Sequence, residues 1–227
     1  METSVKDIVR EHGSDLCGIA DLARFNGAPA GFHPSDIFEA CRSVVVFVKR
    51  LPKGIGLVNP RIVYNRSNDM SIFEADRIAN HAALTFEDRF GCMAVPLPTD
   101  SPYDYWDEES LTGKGILSLR HAAVQAGLGS LGKNGLLITR RFGNMITIGA
   151  VLTDLALAAD PLTEDLCLPR CRRCLDACPS QALDGTTTSQ SRCRPHTYLT
   201  NVRGYDVINC NRCRTVCPMT FGIGDHS

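Results

Sequence analysis

The sequence predicts an α/β (α+β) fold over residues 1–160, followed by a small cysteine-rich domain over residues 161–227. Three observations support this division. Apolar residues follow helical and strand spacing in turn through the first part, this periodicity fades after Pro161, and eight of the eleven cysteines fall between Cys167 and Cys217. We expect a mixed rather than a purely parallel sheet, although the sequence alone does not settle the strand order.

The composition argues against several classes of protein. The chain is 44% hydrophobic and 22% charged, with a formal net charge of -1, which is typical of a globular protein and not of a disordered chain or a dedicated nucleic-acid binder. The purest apolar stretch, residues 44–48, is far shorter than the roughly 18 residues of a membrane-spanning helix. The first seven residues lack the basic and apolar regions of a signal peptide, so we expect a cytoplasmic protein with reduced thiols.

The elements of the larger domain follow from periodicity and from helix start signals. Val5, Ile8 and Val9 predict a short helix before a strand near residues 16–20. Ser35 predicts the cap of a short helix that reaches residue 40, and residues 43–48 predict a buried, β-branched strand. The remaining predictions are helices over residues 70–90 and 117–126, and strands over residues 93–96, 136–139 and 145–152.

Two segments, residues 51–69 and 96–114, interrupt this alternation. The first contains Gly, Pro and Asn without periodicity, and the second contains Tyr103, Tyr105 and Trp106 among several acids. Long loops of this kind are either lids and binding surfaces or simple surface excursions. The sequence leaves both interpretations open.

The cysteines after residue 160 form two similar runs. Cys171, Cys174 and Cys178 are spaced C-x2-C-x3-C-P, as are Cys210, Cys213 and Cys217, and each run has one more cysteine upstream, Cys167 and Cys193. In two-cluster ferredoxins the last cysteine of each such run ligates the other cluster. The spacing therefore predicts two 4Fe–4S clusters, one held by Cys167, Cys171, Cys174 and Cys217 and the other by Cys193, Cys210, Cys213 and Cys178.

Zinc binding and disulfide formation are the two other roles that these cysteines could have. A zinc ribbon would need only two C-x2-C pairs without the third Cys-Pro, and disulfides are disfavoured in a reducing compartment. From Cys167 to Ser227 the chain has eight Arg and four Asp, a formal charge of +4. This charge offsets the negative charge of two oxidised clusters, which explains the arginines without a nucleic-acid footprint.

A glycine-rich loop, residues 127–134, imitates two nucleotide-binding motifs. It matches G-x-G-x-x-G, and it departs from G-x-x-x-x-G-K-[ST] only at Asn134. Both motifs need a strand before the loop and a helix after it, whereas here a predicted helix precedes the loop and a predicted strand follows it. ATP or NAD is therefore disfavoured, and we expect a flexible surface with exposed N–H groups that lies against a flat or phosphate-bearing ligand.

Residues 121–139 resemble the A-G-L-G-x-x-G-K-[NS] loop of epoxyqueuosine reductases, which share a core with reductive dehalogenases. Residues 16–21, 40–46, 141–143 and 151–157 and the two Cys-Pro motifs are also similar to this iron–sulfur family. The resemblance covers nearly the whole chain. Because the sequence stops at Ser227, shortly after the last Cys-Pro, we expect a short form without the C-terminal helical-repeat region.

The resemblance implies a nitroreductase-like mixed-sheet domain that binds a cofactor over residues 1–160, and a ferredoxin-like domain with two 4Fe–4S clusters over residues 161–227. It implies an oxidoreductase in which electrons pass from the clusters to a corrinoid such as cobalamin, which reduces the substrate. The residues that it assigns to the cofactor are Gly127, Leu128, Gly129, Gly132, Lys133, Asn134 and His121. His121 is also explained as a helix histidine that simply hydrogen-bonds in the core.

The implied partners are a low-potential electron donor, such as a ferredoxin or flavodoxin, and a small-molecule substrate; a tRNA-borne substrate stays open, and no membrane is expected. The resemblance places a catalytic Asp where this chain has Gly113, and nearby Asp107, Glu108 and Glu109 are out of register. The sequence therefore identifies no catalytic residue. Two alternatives remain: a two-cluster electron carrier without an organic cofactor, and a reductase that contains flavin.

Overall fold

The computed structural model describes residues 1–58, 61–101 and 103–223. The α-helices of the described residues are α1 (Glu2–Glu11), α2 (Pro34–Ile37), α3 (Ile62–Phe90), α4 (Leu119–Gln125), α5 (Arg173–Asp176), α6 (Gln190–Thr197) and α7 (Arg212–Thr215). The strands are β1 (Leu16–Asp21), β2 (Ser43–Arg50), β3 (Ala94–Leu97), β4 (Tyr105–Asp107), β5 (Thr112–Lys114), β6 (Ser130–Leu131), β7 (Leu137–Ile138), β8 (Ile146–Thr153), β9 (Tyr198–Thr200) and β10 (Asp206–Ile208). The α/β fold class predicted from the sequence is confirmed.

Four strands form the main sheet in the order β1-β2-β8-β3, and its three described pairings are all antiparallel. Because β2 and β3 are both antiparallel to β8, they run parallel to each other, and α3 connects them as in a split β-α-β unit. The prediction of a mixed sheet therefore needs one correction: the main sheet contains strands that run parallel to each other, but the described neighbouring strands all pair in the antiparallel direction. The late strand β8 lies between the two parallel strands and prevents any parallel contact between them.

Both faces of the sheet are covered, which explains the continuous apolar sequence of β2. Val45 and Phe47 pack with α1 and α3, where Ile8, Ile78 and Phe86 are fully buried. The alternate residues of β2 belong to a second core with α4, whose residues include Val44, Val46, Val48, Ala122 and Ala123. A strand buried on both faces loses the alternation of apolar and polar residues that marks a half-exposed strand.

Three predicted elements have different boundaries in the structure. α3 begins at Ile62 and not at residue 70. The apolar pattern missed this first part of the helix because Ile62 and Val63 are half exposed and do not belong to a buried apolar stripe. The predicted cap Ser35 lies inside α2, and His33 caps this helix by accepting a hydrogen bond from the Ser35 N–H. The predicted loop over residues 96–114 contains the hairpin β4–β5. Residues 59, 60 and 102 of the two predicted loops lie outside the described residues.

Residues 161–223, here called the cysteine tail, form only short elements; residues 224–227 lie outside the described part of the chain. The cysteine tail contacts the rest of the chain through two small apolar clusters. In one, Met219 and Leu166 surround Ile138, and in the other, Ile208 and Phe221 pack near Met145. The boundary at residue 160 stays a prediction. Across the described ranges, no helix has both the length and the apolar character needed to cross a bilayer.

We predict that Gly149→Ala destabilises the main sheet. Gly149 lies opposite Phe47 in the register of β2 and β8, and a Cβ at Gly149 would lie 2.4 Å from the Phe47 ring. Overpacking of this kind typically costs about 1–3 kcal/mol, measurable as a loss of free energy of unfolding in urea. Gly27→Ala is the matched control, since a Cβ there meets nothing within 4 Å; equal stability of the two variants would contradict the prediction.

Candidate metal centre

The structure brings four thiols of the cysteine tail around one cavity. This first thiol group consists of Cys167, Cys171, Cys174 and Cys217. The cavity is also lined by apolar side chains, among them Ile138, Leu168 and Met219, and by the end of the glycine-rich loop. Burial raises the pKa of Cys217, and the charges of Cys174, Cys167 and Cys171 act on it in the same direction. Cys217 therefore lies among thiols of the first run, although it belongs to the second run in sequence.

The other four thiols of the tail form a second group. Burial raises the pKa of Cys213 to about 11, and the nearby charges of Cys193, Cys210 and Cys178 also raise it, while Arg214 opposes this effect. We call these four cysteines the second thiol group. Here Cys178, the last cysteine of the first run, joins cysteines of the second run. The Cys178 sulfur accepts a hydrogen bond from the Ala182 N–H at 3.3 Å.

Each thiol group thus combines cysteines from both runs, and the two groups have the same members as the two predicted ligand sets. That they ligate clusters stays a prediction. The described residues contain no group of three or more His, Cys, Asp or Glu placed to hold a single metal ion. The three cysteines outside the tail, Cys17, Cys41 and Cys92, are buried in the larger domain, and burial raises the pKa of each.

The glycine-rich loop is not the exposed surface that the sequence suggested. Gly127 ends α4 with φ +72°, and its N–H donates to the Val124 carbonyl while the Leu128 N–H donates to Ala123, the two bonds of a Schellman cap. Every residue of the loop is buried or half-buried. The glycine followed by an apolar residue at the end of a predicted helix is the signal that could have identified this cap.

The glycines of the loop allow close contact with the chain itself. A Cβ at Gly127 would lie 2.1 Å from the Pro161 carbonyl oxygen, and a Cβ at Gly129 would lie 2.0 Å from that of Ile138. A Cβ at Gly132 would lie 2.7 Å from the Asn134 side-chain oxygen. The lack of side chains at these positions is therefore explained by packing within the protein, and a flat ligand is not needed to explain it.

Lys133 and Asn134 connect this loop to both cysteine runs. The Lys133 ammonium donates hydrogen bonds to the carbonyl oxygens of Leu168, Pro169 and Cys171, at 2.9, 2.6 and 3.1 Å. The buried Asn134 side-chain amide donates to the Cys213 carbonyl oxygen at 2.8 Å. These two residues position backbone segments that carry thiols of the first and second groups.

His121 lies on α4 and is exposed. Its Nδ1 is 2.7 Å from the Ser118 hydroxyl oxygen, a local contact at the start of the helix. Desolvation by neighbouring atoms, and then the charge of Arg120, lower the pKa of His121. This hydrogen bond lies at the exposed start of the helix and not in the core, so the core interpretation of this histidine needs correction, and its role toward a cofactor stays a prediction.

The hairpin β4–β5 is attached to helix α6 by an aromatic clamp, defined as Tyr103, Trp106 and Tyr198 around the Arg194 guanidinium. The guanidinium carbon lies 5.2, 4.9 and 5.6 Å from the three ring centroids, respectively. The neighbouring Gln190 side chain both donates to and accepts from the backbone of Gly113. Because α6 also carries Cys193, this contact joins the second thiol group to the hairpin.

Gly113 occupies the position where the family resemblance places a catalytic Asp. A Cβ at Gly113 would lie 3.2 Å from atoms of both the Trp106 and Tyr103 rings. The stacked rings, with centroids 5.9 Å apart, therefore leave little room for a side chain at this position and would have to shift slightly to admit one. Among the residues that the structure describes, no other residue is identified for that role.

No protein-family model matches the chain. It is 32% identical over 220 residues to the epoxyqueuosine reductase of Staphylococcus aureus, an alignment that covers 87% of this chain and 56% of that protein. The chain belongs to the family of epoxyqueuosine reductases and reductive dehalogenases. It is also 34% identical over 158 residues to the tetrachloroethene reductive dehalogenase of Dehalobacter restrictus, covering 68% of this chain and 24% of that protein.

The fold is likewise that of the epoxyqueuosine reductases. A crystal structure of an epoxyqueuosine reductase with an epoxyqueuosine-modified tRNA-Tyr stem loop matches 99% of this chain and 66% of that protein, with a TM-score of 0.64 and 19% identity. This match shows the fold alone. The chain spans between about a quarter and two thirds of the proteins that it matches here.

Replacement of Lys133 by Ala should weaken the attachment of the first thiol group. The variant loses three hydrogen bonds from a charged donor, each of which is typically worth about 1.5–3 kcal/mol. We expect faster loss of iron to a chelator than in the wild type. Lys49→Ala is the matched control, since Lys49 donates to the Gly13 carbonyl oxygen in the larger domain. Identical rates of iron loss in the two variants would show that Lys133 does not stabilise the site.

Replacement of Arg194 by Gln should loosen the contact between the hairpin and α6, which the two Gln190 hydrogen bonds then hold alone. Cation–π attraction of about 0.5–1 kcal/mol per exposed ring is lost, so Trp106, the single tryptophan, becomes more accessible. Acrylamide quenching of its fluorescence measures this change. Arg192→Gln on the same helix is the control, because Arg192 donates to the Gln181 carbonyl oxygen outside the clamp. Equal quenching in the variants and the wild type would contradict the clamp.

Proposed function

We propose that the chain is an iron–sulfur oxidoreductase that holds two 4Fe–4S clusters, one in each thiol group. The observation that supports this most is the division of eight thiols into two groups of four, each with cysteines of both runs. Four cysteine thiolates are the usual ligand set of such a cluster, and crossed ligation is the rule for this spacing. The donor set therefore fits the cofactor. We further propose that the protein works in the cytoplasm.

The clusters, when bound, supply one-electron transfer. The residues around them perform three tasks. Ile138, Leu168 and Met219 line the first cavity with apolar surface, which limits access of water to the thiols. Lys133 and Asn134 fix the backbone segments that carry them. The excess of arginine in the tail offsets the negative charge that two clusters bring.

The resemblance assigns a corrinoid to the glycine-rich loop, but the loop residues do not fit this role. The space beside Gly127 and Gly129 is filled by carbonyl groups of the chain itself, and Lys133 and Asn134 bind the cysteine tail. Reduction of a substrate by cobalamin stays a hypothesis based on the family, and so does a tRNA-borne substrate.

The same observation supports the second candidate function, a two-cluster electron carrier without an organic cofactor. The loop residues that the resemblance assigns to a cofactor take part in internal packing or in attachment of the tail. A titration with cobalamin separates the two functions. Saturable binding to the iron-loaded protein at micromolar concentration supports the corrinoid reductase, and no change of the cobalamin spectrum at hundreds of micromolar supports the carrier.

The anaerobically purified protein should contain about eight iron and eight sulfide per chain, as expected for two cubane clusters. Cys213→Ser should lose about half of the iron, because Cys213 belongs to one thiol group only. Cys92→Ser is the control, since Cys92 lies in the core of the larger domain. Stoichiometric zinc without broad absorption near 400 nm would refute the iron–sulfur assignment.

A further inference from the structure

An exposed basic surface adjoins the first thiol group. It is formed by Arg170, Arg172 and Arg173 together with Leu168 and Pro218, all exposed, around the half-buried Cys171. We call this surface the arginine patch. Cys171 also lines the cavity of the first thiol group, so the patch covers the outer side of that group.

The arginines of the patch are exposed, so a partner can contact them even though they also offset part of the charge of the first cluster. Within the described residues, Arg172 is the arginine of the patch that forms an ion pair, with its Nε 3.6 Å from Asp176 Oδ1. Both side chains are about two-thirds exposed. An exposed pair of this kind is weak. With Asp176 counted, three arginines and one aspartate give the surface a formal charge of +2.

The composition of the patch combines two features of an electron-transfer interface. Apolar Leu168 and Pro218 line both the cavity of the thiol group and the patch, and the arginines line the same patch. Interfaces between electron-transfer proteins are among the smallest and most transient protein interfaces. Complementary charge increases the rate at which such partners meet and orients them.

Building on the proposed function, we infer that the arginine patch is the docking surface for a negatively charged electron-carrier protein that reduces the first cluster. One electron leaves the reduced carrier and enters the cluster, so the carrier is oxidised by one electron and the cluster is reduced by one. No bond is formed or broken in this step. The partner is recognised by acidic side chains around its own exposed redox centre.

A nucleic acid is the other polyanion that arginines could bind. The patch favours a protein, because its arginines are confined to four consecutive positions and are interrupted by Cys171, and because it includes exposed apolar residues and Asp176. Nucleic-acid affinity comes mostly from many phosphate contacts along a backbone. The patch is too short to provide them.

The test uses an acidic flavodoxin as the probe and iron-loaded protein whose iron content is measured first. Binding of the oxidised flavodoxin should weaken strongly between about 0.05 and 0.5 M salt, because screening shortens the range of exposed charges. Arg170→Gln with Arg173→Gln should weaken binding at low salt about tenfold. Arg10→Gln with Arg89→Gln removes the same charge from exposed positions on α1 and α3, and this control should bind like the wild type.

A kinetic measurement separates docking from damage to the cluster. Reduction of the patch variant by reduced flavodoxin should be slower than reduction of the wild type, while reduction by the small cation of reduced methyl viologen should not be slower. The Gln variants retain hydrogen-bonding capacity, and single Arg173→Gln serves if the double variant folds poorly.

Several outcomes would overturn the inference. These are unchanged flavodoxin binding in the patch variant, equal weakening in the control, equally slower reduction by viologen, or a tRNA stem loop that loses affinity while flavodoxin does not. A preparation without iron overturns the proposed function itself. Normal iron with unchanged flavodoxin binding overturns only the docking surface.

Discussion

Hydrogen bonds from Lys133 and Asn134 to backbone carbonyls of both cysteine runs hold the cysteine tail at the two thiol groups, in addition to its two apolar clusters. The tail has few buried apolar residues of its own, and segments of this size usually need a metal or another staple to remain folded. Two adjacent side chains of the larger domain hold the segments that carry Cys171 and Cys213. The α/β part of the chain thereby helps to position both thiol groups.

Much of the fold could be predicted from local sequence, because burial of β2 and α3 produces patterns that are readable over short stretches. Val44, Val45 and Phe47 indicate a strand buried on both faces, and Ile78 with Phe86 indicates a helix with one buried face. The order of the strands could not be predicted. The insertion of β8 between β2 and β3 depends on contacts between residues that are far apart in the sequence.

The candidate site could likewise be predicted in part, and the rest depends on contacts between residues that are far apart in the sequence. The grouping of Cys217 with the first run follows from the spacing rule of two-cluster ferredoxins, in which the last cysteine of each run ligates the cluster of the other run. The internal packing of the glycine-rich loop could not be predicted, because the atoms that fill the space beside Gly127 and Gly129 belong to Pro161 and Ile138. Lys133 has its partners 35 to 38 residues away, and no local pattern indicates such contacts. A motif that is similar to a ligand-binding loop can therefore serve internal packing.

The central claim is that the two cysteine runs exchange their last cysteines. Mössbauer spectroscopy of anaerobically reconstituted Cys174→Ser, Cys210→Ser and Cys217→Ser tests this most directly, since loss of a thiolate changes the signal of the cluster that it ligates. The account predicts that Cys217→Ser alters the same cluster as Cys174→Ser and leaves intact the cluster that Cys210→Ser alters. A Cys217→Ser spectrum that matches the Cys210→Ser spectrum would contradict the exchange.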